Sequence, residues 1–381
     1  MPRILLVAPL DPKKPGNLKF LVGGENTYTR TLLKYHPKGV KYVHFEDALM
    51  KGSIEYLPVN KILWLLVKFR ILPVSSGSRC LKLNTSFDLI HSHAFSIKIV
   101  PSNIPIVLSD SSSNYLFLRD YLNWPIWRIR FGYFLRRRLF RLLGVIDPDV
   151  NMGKAKKLIV FSKFAYKIHQ KLGIPKEKMK IIHPGLESRP RVNSDIGSES
   201  GINILFVGIW FERKGGHLLL EAFKRLSKKY KNISLTVIGE VPKNFKLVAF
   251  SGEKQISNFK FYDYVPRERL IREFFPKADI FVLIPPKVEG FGFSVLEAMS
   301  FGIPVILSRV CALPELVVDG KSGFVIKPGS IEELTDRLEI LIENSVLRKR
   351  MGRLARIRFE EKFSIEKSNE NLLKVYRQAL L

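Results

Sequence analysis

Cysteine is scarce: Cys80 and Cys311 are the only two, and most of the chain separates them. Neither a disulfide framework nor a cysteine-based metal cluster is implied, and a reducing, cytoplasmic setting fits. Long hydrophobic runs are missing as well. Ile4 to Leu10 is too short to span a bilayer and is closed by Asp11-Pro12, and the stretch Ile62 to Val74 is broken by Lys68 and Arg70. No transmembrane helix is expected. No low-complexity tract or short-period repeat occurs. Acidic residues form the third shortage: 35 Asp+Glu stand against 63 Lys+Arg, a net charge of +28. The excess is uneven. Residues 1–185 carry 31 basic against 11 acidic side chains, and residues 186–381 carry 32 against 24. A concentrated excess in the first half points to an anionic partner: a phosphate-rich substrate, an anionic membrane or nucleic acid.

What is present describes a folded protein of some size. A chain of 381 residues with 46% hydrophobic side chains buries substantial cores, and its length favours two domains. The first half reads as short apolar runs separated by loops and helices, with candidate strands at Ile4–Ala8, Lys41–Phe45, Asp88–His91, Ile106–Leu108, Lys157–Phe161 and Lys180–Ile182. Several are apolar without alternation, as parallel strands covered on both faces are. The polar, turn-rich stretch Glu187 to Gly201 is the best linker. The pattern then restarts with strands at Ile202–Val207, Ile233–Ile238, Phe259–Tyr262, Ile280–Ile284 and Pro304–Leu307. Helices are expected at Gly216–Tyr230, Pro266–Phe275 and Phe293–Ser300, and from Ile331 onward. Such alternation predicts two doubly wound α/β domains. Ligands of such sheets bind beyond the carboxyl ends of the strands, and with two domains the natural site is the cleft between them.

The stretch from Ile280 to Gly302 is the most heavily punctuated. A buried strand ends at Pro285-Pro286, a loop follows with Gly290 and Gly292, and a helix begins near Phe293 or Ser294. Gly302 stops that helix, with Pro304 beyond it. The glycines let the backbone approach a ligand closely, and the first turn's N–H groups can receive phosphate or sugar oxygens. Glu289 precedes the turn and Glu297 lies about one turn into the helix. One site would hold both, each carboxylate accepting hydrogen bonds from vicinal hydroxyls. The plainer alternative makes Glu289 a solvated loop residue and Glu297 a favourable charge near a helix N-terminus. A hydrolase-type dyad is a third reading, decided by a carboxylate separation that sequence does not give.

A second strand-loop-helix runs from Leu205 to Gly216. Lys214 closes its loop, well placed to neutralise a departing diphosphate, unless it is simply a solvated lysine. In the first half Gly23-Gly24 follows the opening strand and precedes a helical pattern, so its N–H groups can approach a phosphate, although glycine there can also serve turn geometry alone. Asp88-Leu-Ile-His91-Ser-His93 places two histidines on one face of a strand end, as functional groups or as satisfied structural ones.

The glutamate segment, EGFGFSVLEAMSFGIPV, resembles the signature of the family 4 glycosyltransferases of the GT-B fold: a glutamate, seven residues, then a second glutamate. CALPELVVDGKSGFVIKPGS at 311–330 is similar to the family's next motif, and weaker likeness covers nearly the whole chain. The resemblance implies two Rossmann-like doubly wound α/β domains facing an interdomain cleft. Residues 1–190 would take the acceptor, 200–362 the nucleotide sugar, and a last helix at 365–381 would pack back on the first domain. It implies that Glu289 contacts the donor sugar, the backbone of Phe291 and Gly292 the sugar and pyrophosphate, and Glu297 the ribose. The backbone around Val265 would meet the base. Lys214 and the helix starting near Ser294 would stabilise the departing charge, the Gly23-Gly24 loop would lie by the donor, and His93 would line the cleft near the sugar. Transfer with retention, a UDP-, GDP- or ADP-linked donor, and no metal or other cofactor are implied too. Two departures stand out. Ile209 replaces an arginine that follows Gly208 in the family, leaving Arg213 as the substitute cation, and Ser109-Asp110-Ser111 stands where a Thr-x-His is common. A GT-B scaffold with little turnover, a phosphorylase or an epimerase are the alternatives.

Tyr115 to Leu143 interleaves aromatics with seven arginines, and Asp120 is its only acid. An ordinary helix pair with a basic face, an interfacial surface for anionic lipid, and a single-strand nucleic-acid surface all fit this composition, the last least well. Lipid-linked acceptors, which the resemblance makes common, favour a peripheral membrane position.

Overall fold

The computed structural model describes residues 1–10, 24–57, 78–101, 103–189, 201–243, 245 and 258–381. Gly23, Asp11-Pro12, the stretch Ile62 to Val74 and most of the expected linker (190–200) lie outside the described residues. The chain divides into two compact units, Met1–Gly185 with Ile365–Leu381, and Leu186–Ser364.

The first unit is built on a six-stranded sheet ordered β2-β1-β5-β7-β8-β9. Its strands are β1 (Arg3–Val7), β2 (Lys41–His44), β5 (Leu89–His93), β7 (Ile106–Asp110), β8 (Lys157–Val160) and β9 (Met179–Ile181). Every pairing is parallel. β5 and β7 are buried at every position, the mark of strands covered on both faces. Leu5, Val7, Ile90, Leu108, Leu158 and Val160 meet in one core. A second, three-stranded sheet, β3 (Ile54–Tyr56), β4 (Ser78–Leu83) and β6 (Ser96–Val100), was not expected from sequence. Its strands are short and mix polar with apolar side chains, so they carry little of the continuous apolar signal. The helix Ile365–Leu380 completes this unit: the Tyr376 hydroxyl bonds His91 Nδ1 at 2.7 Å and the Tyr42 hydroxyl at 2.6 Å.

The second unit repeats the plan with β10 (Ile202–Trp210), β11 (Ile233–Glu240), β12 (Phe259–Tyr262), β13 (Ile280–Leu283), β14 (Val305–Ser308) and β15 (Phe324–Ile326). The order is β12-β11-β10-β13-β14-β15, parallel throughout. The chain winds outward from β10 in one direction, then returns to β13 on its other side. This is the dinucleotide-fold order, and its reversal between β10 and β13 opens a crevice at the carboxyl ends of those two strands. The first unit reverses likewise between β1 and β5. The expected helix Pro266–Phe275 is a single α-turn, Arg267–Arg269, that widens into a π-turn, Leu270–Phe274.

Candidate functional site

The reversal in the second unit selects two loops, one after β10 and one after β13. The first closes at Gly215, where φ is +84° and an added Cβ would stand 2.1 Å from the Ile284 carbonyl oxygen. Only glycine lets the two loops approach so closely. Helix Gly216–Lys229 starts there, with Lys214 at the end of the loop that precedes it. The second loop closes at Gly292 (φ +89°), the cap of helix Phe293–Ser300, where an added Cβ would meet Leu313 at 2.7 Å. No side chain caps that helix end.

The two loops join through charge. The Lys214 ammonium donates to Glu289 Oε2, and the Gly290 N–H donates to Oε1 at 3.2 Å. Both side chains are largely buried, 16% exposed for Lys214 and 6% for Glu289. Burial alone would push the Glu289 carboxyl up, but Lys214 and then Arg213 hold it below the usual glutamate range. Burial, helped by the Arg213 charge and opposed by Glu289, holds the Lys214 ammonium below the ordinary lysine range. Arg213 itself ties the loops together. Its Nη1 donates to the Val288 carbonyl at 3.3 Å, and its guanidinium lies over the Trp210 ring at 4.5 Å.

Glu297 is nine-tenths buried; Arg267 Nε donates to its Oε1 at 3.0 Å, and Nη2 stands 2.8 Å from the same oxygen in an ion pair. Arg267 follows Val265-Pro266, and nothing in its local sequence marked it. Val265 is buried, as are Phe291 and Phe293, while Gly290 and Ser294 are half-buried.

In the first unit the reversal falls between β1 and β5, and His93 ends β5. Gly24 opens helix Gly24–Lys34. His93 is fully buried, stacked on Phe161 at 5.4 Å. Its Nε2 bonds Glu25 Oε2, and Ser111 donates to Glu25 Oε1 at 2.6 Å. The Ser109 hydroxyl joins His93 Nδ1 at 2.9 Å and His91 Nε2 at 2.8 Å, so the two histidines share a face. Burial, and then His93, lowers the His91 imidazole to about 3. His91 is therefore neutral, a structural link from Tyr376 to Ser109. Glu25 directly follows Gly24, and its partners stand 68 and 86 residues away. The same unit gathers Asp110, Asp149 and His169, with ligand-type atoms all within 4.8 Å of one another.

The basic aromatic segment forms helix Ile126–Leu143, which buries Ile129, Tyr133, Arg136 and Phe140. Arg136 pairs with Asp147 inside, and Arg137 donates to the carbonyls of Val150 and Leu172, so these two arginines serve the fold. The outer face shows Trp127 at 70% exposure, Phe131 at 55% and Phe134 at 49%, with Arg130, Arg138 and Arg141 exposed among them. Among the described residues no helix is long and apolar enough to cross a membrane.

Two Rossmann-type units with these strand orders are the architecture of the GT-B fold. The same fold occurs in Anabaena Alr3699/HepE solved with UDP-glucose, with TM-score 0.66 and 16% identity over 99% of this chain and 100% of that one. The family described as "Glycosyl transferases group 1" matches residues 193–358, which lie within the second unit. Among curated relatives, Spore coat protein SA of Bacillus subtilis is 27% identical over 52% of this chain and 56% of its own length. The capsular polysaccharide biosynthesis glycosyltransferase CapM of Staphylococcus aureus is 30% identical over 46% of each. The chain spans about half the length of these two relatives.

Proposed function

We propose that the protein transfers a sugar from a nucleotide-sugar donor to an acceptor hydroxyl with retention of configuration. The observation that carries this reading is the meeting of Lys214 and Glu289 at the β10/β13 reversal. The donor lies with its diphosphate toward Lys214 and the open N-terminus of helix Phe293–Ser300, its sugar hydroxyls on Glu289 and its ribose near Glu297. The backbone beside Val265 faces the base, and Arg213 shapes the loop. The bond from the anomeric carbon to the diphosphate breaks, the acceptor oxygen bonds that carbon on the same face, and the acceptor proton passes to the leaving phosphate. No protein nucleophile and no ion at the diphosphate are needed, because Lys214 and the helix end supply the positive potential. The Gly23-Gly24 loop, Glu25 and His93 belong to the acceptor-binding first unit. The UDP-glucose bound to a protein of this fold supports a nucleotide-sugar donor in general.

Ligand-induced stabilisation tests the reading, since a donor that binds only the folded protein raises its melting temperature. One member of a UDP-, GDP- and ADP-sugar series should shift the transition. Flat responses to all of them would reject the proposal.

The exposed Trp127, Phe131 and Phe134 among arginines favour a second element: the acceptor is presented at an anionic membrane surface. The protein should co-sediment with phosphatidylglycerol vesicles at moderate salt and not with phosphatidylcholine. Equal partitioning to both, or to neither, removes the membrane from the reading.

A further inference from the structure

The cluster Asp110, Asp149 and His169 belongs to no part of the donor chemistry and lies in the other unit. His169 sits in helix Lys163–Lys171, Asp110 ends β7, and Asp149 lies on the segment before β8. All three are buried, His169 completely. His169 Nδ1 lies 2.9 Å from the Ala165 carbonyl oxygen. A carbonyl only accepts, so Nδ1 carries a proton and Nε2 faces the two carboxylates. Nε2 stands 3.4 Å from Asp110 Oδ2 and 3.5 Å from Asp149 Oδ1. Neither His169 Nε2 nor Asp149 Oδ1 has a hydrogen-bond partner.

Two occupants suit a histidine between two carboxylates. A proton on Nε2 would make an imidazolium between carboxylates, and such charge-assisted bonds close to about 2.7–2.9 Å. A zinc ion bound by nitrogen and oxygen at about 2.0–2.1 Å in tetrahedral geometry places neighbouring ligand atoms roughly 3.3–3.4 Å apart. The two histidine–carboxylate spacings, 3.4 and 3.5 Å, are close to the edges of that polyhedron and longer than a charge-assisted bond. The surroundings hold the donors as a metal site does: the Ala165 carbonyl fixes the histidine tautomer, and Asp149 Oδ2 accepts from Tyr133 at 3.1 Å and the Asn114 N–H at 3.2 Å. Charge agrees as well. Two carboxylates and a neutral imidazole sum to −2, and the buried Arg136, whose charge also acts on Asp149, is paired with Asp147.

We infer that the first unit holds one divalent metal ion, zinc by its donor set, through His169 Nε2, Asp110 and Asp149, with a fourth position left for water or a ligand oxygen. The inference is independent of the donor reading, since none of these residues takes part in it. The competing occupant is a proton: against burial, Asp110 and then Asp149 raise the His169 imidazole to about 9.

The test uses the full chain without an affinity tag, stripped with EDTA and then titrated with Zn²⁺ by calorimetry. About one ion per chain should bind, release a proton, and raise the melting temperature. His169→Gln and Asp149→Asn should each abolish stoichiometric binding, whereas His36→Gln should retain it. Folding failure of a variant leaves the wild-type Co²⁺ complex as a second measure, expected to show the intense visible bands of tetrahedral coordination. Absence of saturable Zn²⁺ binding would assign the cluster to a proton and overturn the inference. So would binding that survives His169→Gln but is lost in His93→Gln, or a Co²⁺ spectrum of octahedral type.

Discussion

Lys214 and Glu289 are each other's principal charge partners in a buried setting, and that makes their roles separable. Removing one member of a buried ion pair typically costs about 3–5 kcal/mol, because the survivor remains desolvated and uncompensated. Glu289→Gln keeps the shape and an acceptor for the Gly290 N–H but leaves the ammonium facing an amide, beside the like charge of Arg213. Lys214→Met leaves the carboxylate with the Arg213 charge and the Gly290 N–H. Taking Lys214 at 16% exposure and Glu289 at 6% as mostly desolvated, each single change should cost about 2–4 kcal/mol. In a domain of this size that lowers the melting temperature by roughly 2–4 °C for each kcal/mol. The double variant Lys214→Met/Glu289→Gln strands neither charge, so it should be more stable than either single, with a coupling of about 3 kcal/mol. Activity should behave differently. On the proposed donor placement, loss of the Lys214 cation should lower kcat by about 10²–10³, and the double variant should recover none of it. Urea unfolding and sugar-transfer assays on the four proteins give both numbers. Additive stability losses would show that the pair does not act as one, and turnover within tenfold of wild type in Lys214→Met would remove the lysine from the reaction.

Arg267→Met strands the Glu297 carboxylate and should raise the donor KM about tenfold with kcat changed much less, measured by steady-state kinetics; an unchanged KM would detach Glu297 from the donor. Gly215→Ala drives a Cβ onto the Ile284 carbonyl from a positive φ and should cost about 2–4 kcal/mol in urea unfolding; a change under 0.5 kcal/mol would mean that the loop relaxes freely. For His91 the folded imidazole is held at about 3, below its ordinary 6.5, so the native state refuses a proton that the unfolded chain accepts. Its stabilising contribution is complete above about pH 6.5 and falls by up to roughly 1.4 kcal/mol per pH unit as pH drops toward 3. Unfolding of wild type and His91→Gln between pH 7 and pH 4.5 should show the shallower slope in the variant, and equal slopes would contradict the assignment.

The glutamate loop was legible because everything that shapes it is local. Two prolines end the strand, two glycines make the turn, and Gly302 with Pro304 ends the helix, all within one short stretch. The lysine loop was legible for the same reason. Their meeting was not, because Lys214 and Glu289 lie 75 residues apart and touch only when β13 pairs with β10. Arg267 escaped notice because a surface arginine and a buried partner to Glu297 look alike until the chain folds. Arg136 failed in the opposite sense: inside an arginine run it reads as surface charge, yet it is buried against Asp147. The three ligands of the inferred metal site come from residues 110, 149 and 169, with no spacing that a single helix or loop would reveal.

Tyr376 gives the architecture a consequence in time. The first unit is interrupted at Gly185 and resumes at Ile365, so the whole second unit is synthesised while the first still lacks a helix. Until Tyr376 emerges, the hydroxyl that meets His91 Nδ1 and Tyr42 does not yet exist. At ribosomal speeds of about 5–20 residues per second, that leaves the older half unfinished for roughly ten to forty seconds. The younger, contiguous unit is then the one positioned to mature first, and the order of birth and the order of completion are reversed.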